Sequence, residues 1–344
     1  MKIAIHGREG SYSDRWVSYC KTNDIPYKIV NAYRSNIIDE VSDCSVFMWH
    51  HHHGIYKDTL LAKQLSFSLQ SSGINVFPDF NTCWHFDDKV GQKYLLESLD
   101  IPFVPSYVFY SKDEAFEWIE KATFPKVFKL RGGAGSSNVK LLKTKKEAFK
   151  FAKRAFGKGF KTYNVWENFI ESSNKYFRGE TSFKGVLYKF HQLFFTKKSS
   201  LIFPKEKGYF YVQDFMPNNT FDIRVIVIGE KAFAIKRITR ENDFRASGSG
   251  KIIFRKEEID VRCIKIAFEV NQKINSQCIA YDFVFDSKNN PLIIEISFGF
   301  YLRAYDPCEG YWNQNLDWFD HKIDPMGWVI EDLFHSAINN VKKS

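Results

Sequence analysis

The stretch YDFVFDSKNNPLIIEIS places two carboxylates, Asp282 and Glu295, in otherwise apolar runs on either side of DSKNN. Asn289, Asn290 and Pro291 are turn formers, so the runs pair as a hairpin and Asp282 comes close to Glu295. Two hard oxygen donors side by side suit magnesium that also bridges phosphates. Plain alternation along a strand pair would give outward polar residues as well. Upstream, FKLRGGAGSSNV delivers Lys129 from a strand into a loop with Gly132, Gly133, Gly135, Ser136 and Ser137. Small residues let backbone N–H groups approach phosphate oxygens, and the lysine adds a point charge. The spacing is not a P-loop, since the lysine precedes the glycines, and an ordinary hairpin turn fits the same residues. In the third stretch, Asp222 and Arg224 share one strand face, and Arg237 and Arg245 follow on the next strand and its loop. Guanidinium groups near carboxylates suit transferring phosphoryl oxygens or an acyl phosphate, with surface arginines as the plainer reading.

A run of four histidines, His50 to His53, follows the apolar SVFMW. It lies well inside a continuous pattern, away from the chain ends where tags sit. Consecutive residues on an extended chain point to opposite faces, so only His50 with His52, or His51 with His53, could converge. With no CxxC or HxxxH spacing nearby to supply further ligands, a zinc site is not expected. The pair His50 and His52 is expected to face a substrate while the others pack or meet solvent, because imidazoles titrate near neutrality and can act as base or as acceptor contact.

These residues need a scaffold, and the first eighty positions provide one as alternating strands and helices, from KIAIHG to INVFPDF. Such a βαβ series makes a parallel sheet, with ligands gathering beyond the carboxyl ends of its strands. The loops after Ile5 and after Trp49 should therefore line a cleft. The glycine-containing HGREGS loop lacks dinucleotide spacing and reads as a tight strand-to-helix turn. The domains expected are 1–86, an N-terminal α/β domain; 87–210, with a basic insertion at about 163–207; and 211–344, an α+β layer of mostly antiparallel strands. Between Lys175 and Lys207 eight Lys or Arg stand against two Glu, which reads as a solvated basic face or as a contact for a phosphorylated or membrane-linked substrate.

Composition sets outer limits. The chain of 344 residues is 44% hydrophobic and 17% aromatic, which argues for a folded globular protein. Six scattered cysteines suit reduced thiols, and no stretch has the length of a membrane span, so a cytoplasmic protein is expected. The formal charge of +9 fits nucleic acid, anionic membranes or phosphorylated small molecules, but zinc-finger, RNP-type and basic heptad patterns are missing. A dedicated nucleic-acid binder is not expected, nor is stable insertion into a membrane.

The order Lys89, Lys129 with its glycine loop, VQDFM, DIRV, AIKR, DFRAS, DFVFD and EIS resembles the ATP-grasp superfamily, from about Asp87 to Phe298. The βαβ series before it resembles the domain that usually precedes the ATP-grasp unit. The resemblance is closest to carboxylate–amine ligases, and the tail GFYLRAYDPCEGYWNQNLDWFDHKIDP is similar to ATP-grasp proteins of bacterial surface-polysaccharide gene clusters. It implies an ATP-grasp fold, α/β and α+β, with ATP and Mg2+ as cofactors. It also implies amide formation through an acyl phosphate from small-molecule carboxylate and amine substrates, sugar-nucleotide or lipid-linked forms included, with a homodimer as one conceivable assembly. Lys89, Lys129 and the Gly132 to Ser137 loop fall to the ATP phosphates, and Gln213, Asp214, Phe215 and Met216 to the adenine hinge. Asp222 falls at the end of the nucleotide site, Arg237 and Arg245 near the transferring phosphate, and Asp282, Glu295 and Ser297 to the metal. Arg224 and the histidine pair are the expected substrate contacts. Two further readings stay open: a small-molecule kinase, which uses the same ATP machinery, and a nucleotide-binding module with a decayed site, suggested by Ser297 where the family carries Asn.

Overall fold

A computed structural model describes residues 2–133, 138–161, 203–240, 243–246 and 250–341. The chain begins with β1 (Ile3–His6), α1 (Tyr12–Thr22), β2 (Tyr27–Val30), α2 (Ile37–Val41), β3 (Val46–Met48), α3 (Tyr56–Ser71), β4 (Asn75–Phe77), α4 (Phe80–Cys83) and α5 (Lys89–Ser98). It continues with β5 (Ser106–Phe109), α6 (Lys112–Lys121), β6 (Lys126–Lys129), β7 (Val139–Leu142), α7 (Lys145–Phe156) and β8 (Phe210–Asp214). Then come β9 (Phe221–Ile228), β10 (Lys231–Ile238), β11 (Ile252–Ile253), α8 (Val261–Ile274), β12 (Cys278–Phe285), β13 (Pro291–Ser297), β14 (Tyr311–Asn313), β15 (Trp318–Phe319) and α9 (Pro325–Val341).

Two compact units result: residues 1–103 with 216–344, and residues 104–215. The sequence reading placed boundaries at 86/87 and 210/211. Helix α5 stays with the first unit because Gln92 bonds the backbone of Ile296 in β13, Nε2 donating to its carbonyl at 2.8 Å. Strand β8 belongs to the second unit because it pairs with both β5 and β6. Most of the expected basic insertion lies outside the described residues.

In the first unit the N-terminal sheet runs β2-β1-β3-β4, all parallel. Strands β1 and β3 are buried along their whole length, which is why IAI and VFM are apolar without alternation. The C-terminal sheet is ordered β13-β12-β9-β10-β14-β15, with β11 on β10, and is antiparallel. One of its faces packs Ile223, Val225 and Val227 against α8 residues such as Ile264 and Phe268. The other packs Ile226, Ile228, Phe233 and Ile235 in one core with Ile3, Tyr12, Met48 and Phe77. The DSKNN turn forms as the sequence predicts: Asp286 Oδ1 accepts from Lys288 N and Asn290 N, both at 2.8 Å, while Asn289 sits at φ 61°.

The second unit is a sheet ordered β5-β8-β6-β7, with α6 and α7 packed together over Phe128, Phe210 and Val212. Thr144 caps α7, its hydroxyl accepting from Glu147 N at 3.2 Å, and the Glu147 carboxylate returns a bond to Lys143 N at 2.6 Å.

Candidate active site

Register alone gathers five of the expected residues. Asp222 lies opposite Arg237, Arg224 opposite Asp282, and Asp282 opposite Glu295. Directly opposed residues share a face, so all five stand on one side of the β10-β9-β12-β13 sheet. Along β9 that face reads Asp222, Arg224, Ile226, Ile228: charge at one end, core at the other. A bulge between Asp282 and Phe283 interrupts the ladder beside the charged end.

The side chains close a network. Arg237 grips Asp222 through Nε and Nη2, both at 2.6 Å, and its Nη2 lies 3.1 Å from Asp282 Oδ2. Arg224 grips Asp282 in the same forked manner, Nη2 to Oδ2 at 2.6 Å. Burial alone would raise the Asp282 carboxyl, but Arg224 and Arg237 hold it well below the usual carboxylate range. For Asp222 burial outweighs Arg237, and its acidity falls. Beside the network Lys89, only 4% exposed at the start of α5, pairs its Nζ with Glu295 Oε1 at 3.1 Å. Although burial opposes it, the acids Glu295 and Asp87 raise the lysine's pKa and keep it charged.

Ser297 is two positions beyond Glu295, but its hydroxyl donates to Gly299 O at 2.8 Å and accepts from Gly299 N at 3.2 Å. It is occupied in a local turn. Arg245 is held by Asp243, Nη2 to Oδ2 at 2.6 Å.

In the second unit Lys129 is buried and its Nζ donates to Gln213 Oε1 at 2.5 Å. Gln213 Nε2 in turn donates to Ser106 Oγ at 3.0 Å. Asp214 points to the opposite face, where Lys126 Nζ meets its Oδ1 at 2.6 Å; the expected hinge segment thus splits by alternation. Lys126, which the sequence reading passed over, also lies 5.5 Å from the Tyr107 ring centroid. Phe215 ends this unit and Met216 begins the return to the other. The base of the glycine loop is tied by Arg131 N donating to Tyr209 Oη at 2.7 Å. Gly132 follows, and Gly133 adopts φ 114°, a value side chains resist. Gly135, Ser136 and Ser137 lie outside the described residues.

The histidines depart from the alternation expected of them. The last ladder bond is Trp49 N to Phe77 O, after which His51 N turns back to Trp49 O and Ile55 N to His52 O. His50 stacks on Tyr12 at 3.6 Å, its Nδ1 accepting from Tyr12 N at 3.2 Å. His51 is buried against Phe298 and Phe86, and its Nε2 lacks a hydrogen-bond partner. The rings of His52 and His53 stack on each other at 4.3 Å, whereas that of His50 stacks on Tyr12. Burial lowers every imidazole of the run, to about 3 at His51 and about 4 at His52. Among the described residues no group of three or more His, Cys, Asp or Glu could hold a metal.

Sequence reasoning missed Arg8 and Asp58. Asp58 is buried in the first turn of α3, where it accepts from His52 N at 2.6 Å, from Arg8 Nη1 at 3.2 Å and from the Tyr33 hydroxyl. The only signal available was that the loops after β1 and β3, adjacent parallel strands, had to end side by side.

Together the unit folds and the charged sheet face define the ATP-grasp fold. Residues 197–306 match the RimK-like ATP-grasp domain, which takes in β8 to β13 and the whole charged face. Over 97% of this chain and 69% of that one, the structure is similar to the biotin carboxylase domain of the Hydrogenobacter thermophilus 2-oxoglutarate carboxylase, at 12% identity and TM-score 0.59. D-alanine–D-alanine ligase from Bacillus anthracis, complexed with ATP, aligns over 100% of this chain and 98% of its own, at 12% identity and TM-score 0.58. A RimK domain ATP-grasp protein from Sphaerobacter thermophilus aligns over 97% and 99%, at 13% identity and TM-score 0.54. No curated protein matches the sequence.

Proposed function

We propose that this chain is an ATP- and magnesium-dependent carboxylate–amine ligase. The observation that carries the reading is the single sheet face holding Asp222, Arg224, Arg237, Asp282 and Glu295. The match of that region to the RimK-like domain and the ATP and MgADP named for the similar structures support it.

Magnesium fits Glu295, whereas both oxygens of Asp282 are held by Arg224 and Arg237. The ion commonly takes one or two protein carboxylates and completes its shell with phosphate oxygens and water. Glu295 offers a side chain 31% exposed directly across from Asp282. Ser297 is not needed as a third ligand, since Gly299 already engages its hydroxyl. When bound, the ion would neutralise phosphate charge.

In the proposed reaction a substrate carboxylate oxygen attacks the γ-phosphorus of ATP, the bond to the bridging oxygen breaks, and ADP leaves. The amine nitrogen then attacks the acyl carbon, phosphate departs and the amine loses a proton. Arg224 and Arg237 are fixed by Asp282 and Asp222 before substrate arrives, so their charge is preorganised for the acyl phosphate and the oxyanion that follows. Lys89 and, in the second unit, Lys129 with Gly132, Gly133 and Gln213 are assigned to ATP. The substrate is assigned as an acidic sugar or an amino acid, in surface-polysaccharide modification, which rests on the likeness of residues 299–325.

The test is incubation with ATP, magnesium, a pool of acids and hydroxylamine. An acyl phosphate yields a hydroxamate, and E295A should abolish it. ATP consumed in favour of a phosphorylated hydroxyl, with no hydroxamate from any acid, would falsify the ligase reading.

A further inference from the structure

Beside the charged sheet face the first unit contains a second polar constellation, built where the loops after β1 and β3 meet. Its cation is Arg8, in the β1–α1 loop, with a side chain 25% exposed. A guanidinium has five N–H donors. Among the described residues this one uses a single contact, Nη1 to Asp58 Oδ2 at 3.2 Å. Forked, two-point pairing is the usual arrangement for a structural Arg–carboxylate bridge, as Arg224 and Arg237 illustrate. Asp58, by contrast, is saturated: it holds the Tyr33 hydroxyl, His52 N and Arg8 together. Its arrangement fixes Arg8 by one corner and leaves the remaining donors uncommitted.

A neighbour is a donor too. His52 Nδ1 accepts from Gly54 N at 2.9 Å, which leaves its proton on Nε2. No other protein group bonds that ring among the described residues, and His53 stacks against it. Burial lowers the His52 imidazole to about 4, so it donates without adding charge. Glu9, the nearest acid in sequence, is exposed and makes no ion pair with Arg8 among the described residues.

We propose that Arg8, with His52, forms an anion subsite that takes a carboxylate or phosphate group of the substrate other than the carboxylate being activated. Asp58 is its positioning residue. The acid handled here is then at least a dianion. That statement about substrate rests on the ligase reading above; the subsite itself does not.

The experiment has two arms, both on the full chain. In the first, histidine side-chain NMR follows His52 during titration with sodium glutarate, inorganic phosphate, or sodium chloride at matched ionic strength. Saturable shifts with glutarate or phosphate, but not chloride, are expected, and the preferred probe tells carboxylate from phosphate. The R8A/D58N double variant leaves no lone buried charge and should weaken that affinity at least tenfold. An unsaturable response, an equal response to chloride, or unaltered affinity in the double variant overturns the subsite. In the second arm, the hydroxamate assay compares dicarboxylic acids with monocarboxylic acids of equal length. A KM at least tenfold lower for the dianions, lost in R8A/D58N, is expected; equal KM values overturn the substrate class. If no acid turns over, the ligase reading falls while the first arm still decides the subsite.

Discussion

Asp282 accepts from two guanidinium groups at once, and its removal would strand both in a buried position. D282A should therefore cost about 3–5 kcal/mol of stability, read from urea unfolding, because an uncompensated buried charge is far more costly than a lost contact. E295Q keeps a hydrogen-bond acceptor for Lys89 and should lose less stability than D282A, yet remove magnesium-dependent ATP turnover. A variant as unstable as D282A would mark Glu295 as a structural partner of Lys89 only. The sequence made these residues visible because their meeting needs only strand alternation and one local hairpin. Arg8 and Asp58 stayed hidden for the opposite reason: they are 50 positions apart, joined across two parallel strands, and neither lies in a patterned motif.

At the level of single elements, the loop from β3 to α3 sets the acid response. His51 and His52 are held down to about 3 and about 4, chiefly by burial, whereas unfolded histidine titrates near 6.5. Between those values the unfolded chain binds more protons than the folded one, so stability is full above about pH 6.5 and falls as pH drops toward 4. Melting temperature measured from pH 7.5 to 4.5 should decline accordingly. H51F removes an unpartnered buried nitrogen beside Phe86 and Phe298, so it should leave stability at pH 7 intact and make the acid decline shallower. On α7, T144A loses a cap and should cost about 1 kcal/mol. The strands and helices of the first eighty positions were largely legible from their alternation. The histidine loop was not, because alternation holds only while a ladder continues, and here the ladder stops at Trp49.

For the whole molecule, the long interruption of the first unit governs what can fold alone. Ile3, Tyr12, Trp16, Met48 and Phe77 share one core with Ile226, Phe233, Phe300 and Trp328. A fragment of residues 1–86 should therefore lack a cooperative melt and dispersed amide signals; a well-dispersed spectrum from that fragment would show an independent domain after all. Sequence reading put a boundary at residue 86 because the pattern of elements changes there; core membership is a long-range property that no local window carries. The second unit has a different logic. Its entry strand β5 and exit strand β8 are hydrogen-bonded neighbours, Ser106 opposite Gln213, so the two ends of residues 104–215 lie side by side. Residues 104–215 thus form a cassette whose two seams coincide.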